Sequence, residues 1–339
     1  GLVNGRIDAE GNVIAERAGT GPGPRVVLSA HLDTVFPEGT DVTVTRTGTR
    51  FDGPGIGDDC RGLAVLLATV RAMNEGNVRH AGTLVVVGTV GEEGAGNLRG
   101  VRRLFGDKTA GEVDYFISVD GTGLGLTHVA VGSHRYRVVF HGPGGHSYGA
   151  FGMPNPIHAL GRAIAYLSET VVPPSPRTTF SVGMIEGGTS VNSIAMEAAM
   201  QVDLRSVSQA ELDAIDTRLQ AAIQRALWDE RARWPKSKVA LDVRIEDIGK
   251  RPAGEVADTA FIVRAANAAG RALGFTPDAS PSSTDSNIPI SLGVQAITID
   301  GGGRGTGAHS LSESYDDGAD GWKGPQWALL LVTTLLGGR

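Results

Sequence analysis

The sequence predicts an α/β fold: an open sheet domain interrupted by a second domain of the split-βαβ kind. Three observations carry this. Apolar runs closed by histidine, glycine or a carboxylate recur at residues 25–31, 84–94, 113–120 and 294–300, the pattern of strands buried on both faces. Residues 134–248 instead read strand, helix, strand, strand, helix, strand. Helix-forming residues 257–273 then return the chain to the first pattern. The expected division is 1–132 for the first part of the sheet domain, 133–248 for the insertion and 249–339 for the second part.

Residues 84–94, Leu-Val-Val-Val-Gly-Thr-Val-Gly-Glu-Glu-Gly, organise the sheet domain. The run ends in two adjacent carboxylates, Glu92 and Glu93, which are costly to bury unless something positive is near. Upstream, a Gly-Pro-Gly-Pro turn leads into the strand 25–31, which ends in His31-Leu-Asp33. Residues two apart in extended chain point the same way, so His31 and Asp33 can face one cleft. A carboxylate beside a histidine is a common support for a metal ligand. Residues 51–62 form a glycine-rich loop carrying Asp58 and Asp59, and the apolar stretch 63–73 follows as a helix. One of the two aspartates is expected to cap that helix; the other is surplus to the role.

The strand 113–120 ends in Asp120, and the strand 294–300 leads into a glycine-rich loop followed by Ala308-His309-Ser310. That loop has neither the Lys-Ser/Thr of a phosphate-binding loop nor the dinucleotide fingerprint, so nucleotide binding is rejected. In the insertion, residues 134–141 alternate like a strand, 155–169 read as a helix, and 178–186 and 194–205 as strands. Ser208 caps a long helix with Glu211 as its capping-box partner. Leu212, Ile215, Leu219, Ile223 and Leu227 form its apolar stripe. Pro235 closes it, and residues 238–248 make the last strand.

A chain of 339 residues, 41% hydrophobic and 20% charged, is an ordinary globular composition with room for two domains. A net charge of -6 without a basic run argues against nucleic acid or an anionic membrane as partner. Residues 327–336 are the most apolar late segment, far short of the roughly 20 residues of a membrane span. One cysteine, Cys60, excludes an internal disulfide and a cysteine-rich metal site, which makes a reducing cytoplasm the expected compartment. No signal-peptide pattern is present.

His31, Asp58, Glu92, Glu93, Asp120 and His309 all follow the C-terminal ends of buried strands or lie in the loops beyond them. In an open α/β sheet that edge binds ligands. Two histidines and several carboxylates converging there suit a pair of divalent ions with nitrogen and oxygen ligands. Each residue separately has a structural explanation; their joint placement does not. His80, His128, His134, His141 and His158 belong to no motif and are expected to be structural or solvated.

These motifs resemble those of the co-catalytic dinuclear zinc metallopeptidases and deacylases, the family of peptidase T, carboxypeptidase G, aminoacylase and succinyl-diaminopimelate desuccinylase. His31-Leu-Asp33, residues 53–59 and 91–94, Ser118-Val-Asp120 and Ala308-His309 match in the sheet domain. Residues 144–147 and 187–192 match in the insertion, and all follow the family's order. The resemblance implies a zinc-exopeptidase-like mixed-sheet catalytic domain with an inserted ferredoxin-like lid and dimerisation domain. It implies that Asp58 bridges two divalent metal ions, zinc or else manganese or cobalt. His31 and Asp120 would complete one site, Glu93 and His309 the other. Asp33 would steady His31, and Glu92 would be the general base. A cis peptide between Asp58 and Asp59 is implied as well. So are substrate contacts from His146, Asn192 and Arg205, with His146 acting across the interface of a homodimer.

Three departures from the family pattern stand out. Only thirty residues precede His31, so the catalytic domain is expected to be incomplete at its N-terminus. Ser312 precedes Glu313 where an acidic pair is usual, and Cys60 replaces a Lys, Met, Ser or Asn. The expected function is a two-metal hydrolase of amide bonds in small substrates. Asp rather than Glu at position 120, the stretch 282–286 and the late glycine loop lean towards a di- or tripeptide aminopeptidase. The alternative is an N-acyl-amino-acid amidohydrolase or a hydrolytic deaminase of an aromatic amine. A cysteine hydrolase built on Cys60 and a binding module on an inherited fold are the remaining rivals.

Overall fold

Strands rich in valine, leucine and isoleucine lie side by side in one large sheet, in the order Val3–Ile7, Val13–Arg17, Thr83–Thr89, Arg25–His31, Tyr115–Val119, Gln295–Ile299, Gly125–Thr127, Asp278–Ala279. The four strands from Thr83–Thr89 to Gln295–Ile299 run parallel, and antiparallel neighbours flank them, so the sheet is mixed. The run Arg25–His31 is buried from its second residue to its last, as a strand covered on both faces must be. Because the four run parallel, the residues after His31, Thr89, Val119 and Ile299 emerge at one edge. His31 lies opposite Thr89 in the register.

The computed structural model describes residues 1–337. Its contacts divide the chain into two units, Gly1–Ala130 with Gly254–Arg339, and Val131–Ala253. In the first unit the helices Cys60–Glu75, Phe261–Ala272 and Lys323–Leu335 present apolar faces to a single core. Trp327 is wholly buried in it, and its indole N–H donates to the Ala266 carbonyl at 2.9 Å. Residues 327–336 thus close the core. Among the described residues no helix is long and apolar enough to cross a membrane.

The second unit is a four-stranded antiparallel sheet, in the order Thr178–Gly187, Glu197–Ser206, Gly132–His141, Asp242–Arg251. With the helices Pro156–Ser168 and Gln209–Arg233 it follows the strand and helix order read from the sequence. Asn155 caps the first helix and Ser208 the second, each through its side-chain oxygen. The last strand differs from expectation. It spans Asp242–Arg251 rather than 238–248, because it stays in register with Gly132–His141 past a bulge, as far as Arg251 opposite Ser133.

A second small sheet in the first unit has no counterpart in the sequence reading. Its strands are ordered Arg304–Thr306, Ser314–Asp316, Arg50–Asp52, Thr45–Thr47. Ser314 pairs with Asp52, which ties the loop before Asp58 to the loop that carries His309.

Candidate metal centre

The loop between Asp52 and the helix Cys60–Glu75 sets the centre. Asp59 is its N-cap: Oδ1 accepts from the Gly62 N–H at 3.0 Å and Oδ2 from the His31 backbone N–H at 3.1 Å. That resolves the pair, since Asp59 is used for the cap and Asp58 is left to face outward. The peptide between them is cis. Glu313 anchors the same loop. Its carboxylate accepts backbone N–H groups of Gly55 and Gly57 at 2.8 Å each and of Asp58 at 2.9 Å.

Around Asp58 the two sequence-predicted histidines meet. His31 Nε2 lies 2.9 Å from Asp58 Oδ1, and His309 Nε2 lies 3.0 Å from Asp58 Oδ2. His31 Nε2 is also 3.8 Å from Asp120 Oδ1, and His309 Nε2 is 2.9 Å from Glu93 Oε1. Each oxygen of one carboxylate therefore faces a different histidine, and each histidine has a second carboxylate beside it. Ligand atoms of His31, Asp58 and Glu93 lie within 4.8 Å of one another. Zinc bonds of about 2.0–2.2 Å set tetrahedral ligands roughly 3.3–3.6 Å apart, and the separations here bracket that range. The donor set, imidazole nitrogen and carboxylate oxygen, suits zinc and equally manganese or cobalt.

Asp33 supports this arrangement from below. Its backbone carbonyl lies 2.9 Å from His31 Nδ1, so the proton is assigned to Nδ1 and Nε2 is left to face Asp58. Its carboxylate accepts the backbone N–H groups of Glu92 at 3.1 Å and Glu93 at 2.9 Å, fixing where both glutamates leave the strand. Gly91, just before them, has φ of 72°, and a Cβ there would run into Arg99. Glu92 is 6% exposed.

The electrostatics fit a cation site. Burial by itself would lower the His31 pKa, yet its hydrogen bonds to Asp120 and Asp58 and the nearby charges overcome this and raise it. His309 behaves alike: burial opposes, but Glu93 and Asp58 raise it. Burial pushes Glu93 up, and the charge of Asp58 adds to the shift. Asp59 is pushed well up, by burial first and then by Asp120. Asp58 is held low: burial acts against this, but the hydrogen bond and charge of His31 outweigh it, aided by His309.

Two further residues escaped the sequence reading. Glu313 appeared there only as a departure from an acidic pair, yet it is 2% exposed and organises the Asp58 loop. Asp285, within the stretch 282–286, is 1% exposed; its Oδ2 accepts from the Thr89 hydroxyl at 2.5 Å, while Oδ1 has no hydrogen-bond partner among the described residues. Burial raises its pKa to about 6. An aspartate in a polar run just before apolar Ile288 was the available signal.

The predicted substrate residues lie in the second unit. His146 is exposed on a two-residue strand paired with Ser193–Ile194, and its Nδ1 accepts N–H groups of Tyr148 and Gly149 at 3.3 Å each. The Asn192 carbonyl accepts the Ser147 N–H at 2.9 Å, so His146 and Asn192 are neighbours. Arg205 is apart from them. It sits near the opposite end of the strand Glu197–Ser206, bound to Asp203 at 2.7 Å.

A family model described as Peptidase family M20/M25/M40 matches residues 27–326. The chain belongs to this peptidase family. It is accordingly a metal-dependent hydrolase, with the zinc-exopeptidase fold. Among curated relatives of this M20-family chain, the uncharacterized protein YqjE of Bacillus subtilis is 25% identical over 295 residues, 85% of this chain and 76% of that protein. Carboxypeptidase G2 of a Pseudomonas species is 28% identical over 208 residues, 60% of this chain and 49% of the relative. The chain therefore spans about half the length of that second relative. Among solved structures, a tripeptidase from Staphylococcus aureus has TM-score 0.80 at 19% identity, covering 99% of this chain and 89% of the other. Aminopeptidase PepT from Bacillus cereus has TM-score 0.77 at 21% identity, covering 96% and 84%. The YXEP protein of Bacillus subtilis, a dinuclear metal-binding peptidase of the M20 family, has TM-score 0.67 at 19% identity, covering 96% and 85%. At these identities the structural likenesses establish the shared fold.

Proposed function

We propose that this M20-family chain is an aminopeptidase of di- and tripeptides that works with two divalent ions, zinc first among them, one on each side of Asp58. The observation that carries the reading is the Asp58 carboxylate with one oxygen facing His31 and the other facing His309. His31, Asp120 and Asp58 would hold one ion, and His309, Glu93 and Asp58 the other. Bound there, the ions supply Lewis acidity to the scissile carbonyl and lower the pKa of the attacking water. Glu92 is the base. It takes a proton from the attacking water as the C–O bond forms and returns it to the amine nitrogen, whose C–N bond then breaks. Asp33 keeps Glu92 and Glu93 in place through their backbone N–H groups and holds His31 in one tautomer. In the second unit His146 and Asn192 would hold the substrate. Arg205, ion-paired with Asp203, is the third proposed substrate contact.

The peptide substrate class is supported by the aspartate at position 120 and by the likeness in fold to a tripeptidase. An amidohydrolase of acylated amino acids is the second reading, favoured by a relative of 26% identity that is a probable succinyl-diaminopimelate desuccinylase of Staphylococcus aureus. A homodimer through residues 133–248 is part of the reading. The strand Thr178–Gly187 ends the second sheet, and Met184 and Ile185 on it are 60% and 64% exposed. The single exposed Cys60 fits a reducing cytoplasm.

The test uses zinc-loaded protein on a free-amine tripeptide, an N-acetyl amino acid and an aminobenzoate. Turnover of the tripeptide above the other two is expected, with Glu92→Gln lowering it about 10²–10⁴-fold while metal content stays unchanged. Preference for the acylated substrate would replace the peptide reading by the second one. A Glu92→Gln enzyme as fast as the parent would remove Glu92 from the chemistry. Sedimentation of the same preparation should read twice the chain mass; a single-chain mass would dismiss the dimer.

A further inference from the structure

Beside Asp58 the first unit contains a cavity of about 170 Å³, lined among others by Gly57, Thr122, Gly305, Thr306, Glu313 and Ser314. We infer that this cavity is the specificity pocket for one small, uncharged side chain next to the bond that is cut, and that Thr122 sets its width. The inference rests on the peptidase reading above and deepens it by naming the class of peptide.

Position comes first. The cavity begins where the proposed ligands end: Asp58 is part of its wall, Gly121 follows Asp120, and Ala308 precedes His309. Size comes second. Sites that enclose a whole drug-sized ligand run to about 300–1,000 Å³, so this cavity has room for one substituent.

Charge narrows the choice further. Asp58 and Glu313 are the ionisable side chains in the lining. The oxygens of Asp58 face His31 and His309, and those of Glu313 take three backbone N–H groups. An acidic side chain entering here would meet two carboxylates and no cation from the lining. A basic side chain is excluded by its length, since the cavity has room for one small substituent. The lining has no aromatic or large aliphatic side chain either. It offers hydroxyls instead. Thr306 and Ser314 share one hydrogen bond at 2.9 Å, and the Thr122 hydroxyl has no hydrogen-bond partner among the described residues.

Thr122 is what the opposing backbone abuts. A Cβ on Gly305 would sit 2.5 Å from Thr122 Oγ1, and one on Gly57 would sit 3.2 Å from Thr122 Cγ2. The Thr122 side chain therefore fills the space between the two glycines, and trimming it would widen the cavity they share. Alanine or serine fits such a slot; leucine, phenylalanine, lysine and glutamate do not.

The experiment measures kcat/KM of the zinc-loaded protein on two tripeptide series, X-Gly-Gly and Gly-X-Gly, with X as Ala, Ser, Leu, Phe, Lys or Glu. In one series Ala and Ser should exceed the other four by about tenfold or more, the scale at which a pocket rejects surplus bulk. Thr122→Gly should raise the Leu/Ala ratio in that series by about tenfold, and Thr122→Ser should keep the parent's exclusion of Phe. If peptides are cleaved but neither series discriminates, or Thr122→Gly leaves the ratio within about twofold, the pocket is not a specificity site and the peptidase reading stands. If no peptide in either series is cleaved while an N-acetyl amino acid is, the peptidase reading fails and the pocket assignment falls with it.

Discussion

At the scale of single residues, the centre is a matter of which oxygen faces which nitrogen. Asp58 can face both histidines because its neighbours absorb the competing hydrogen bonds: Asp59 takes the helix N-terminus and the His31 N–H, and Glu313 takes the loop's own amides. Glu313→Ala would leave three backbone N–H groups, two of them buried, without their acceptor. The expected cost is about 3 kcal/mol or more of stability, together with a clear loss of zinc affinity. Chemical denaturation and a zinc titration read the two effects; a variant unchanged in both would show that the loop holds itself. His31, Asp58, Glu93 and His309 were legible in the sequence because each follows a strand end or a glycine turn. Glu313 and Asp285 were not. Their importance lies in partners about 255 and 196 residues away, and no local pattern encodes a pairing of that span.

At the scale of elements, the four parallel strands announce themselves because burial on both faces demands unbroken apolar runs. The helix Gln209–Arg233 is equally readable from its stripe and its serine cap. The small sheet that brings the His309 loop to Asp58 is silent. Its strands are three residues long, Thr45–Thr47 and Arg304–Thr306 are exposed throughout, and neither alternation nor an apolar run marks them. The last helix, Lys323–Leu335, buries Trp327 together with Ala328, Leu331, Val332 and Leu335. Trp327→Ala removes a fully buried indole and its hydrogen bond to Ala266. A loss of about 3–5 kcal/mol is expected in urea unfolding of the zinc-loaded protein. A loss below about 1 kcal/mol would mean that the helix docks through its other apolar residues.

At the scale of the whole molecule, the metal and the fold are linked through protons. His31 and His309 have raised pKa values in the metal-free chain, so their stabilisation is fully present below the unfolded histidine value of about 6.5 and declines as pH rises towards the folded values. Asp58, held low, contributes above its unfolded value and loses that contribution only as pH falls through its depressed one. Metal loading displaces the histidine protons and becomes more favourable as pH rises. The Tm of the metal-free protein should therefore decline from about pH 6.5 upward, while the gain in Tm on adding zinc grows. Calorimetry with and without chelator across that range tests this, and a zinc-induced gain that shrinks with rising pH would reverse the sign.

The most direct test of the centre is anomalous X-ray scattering at the zinc edge from crystals of the zinc-loaded protein. Two peaks are expected, about 3.5–4 Å apart, one between Asp58 and His31 and the other between Asp58 and His309. A single peak, or two peaks that do not share Asp58, would contradict the dinuclear arrangement on which the proposed chemistry depends.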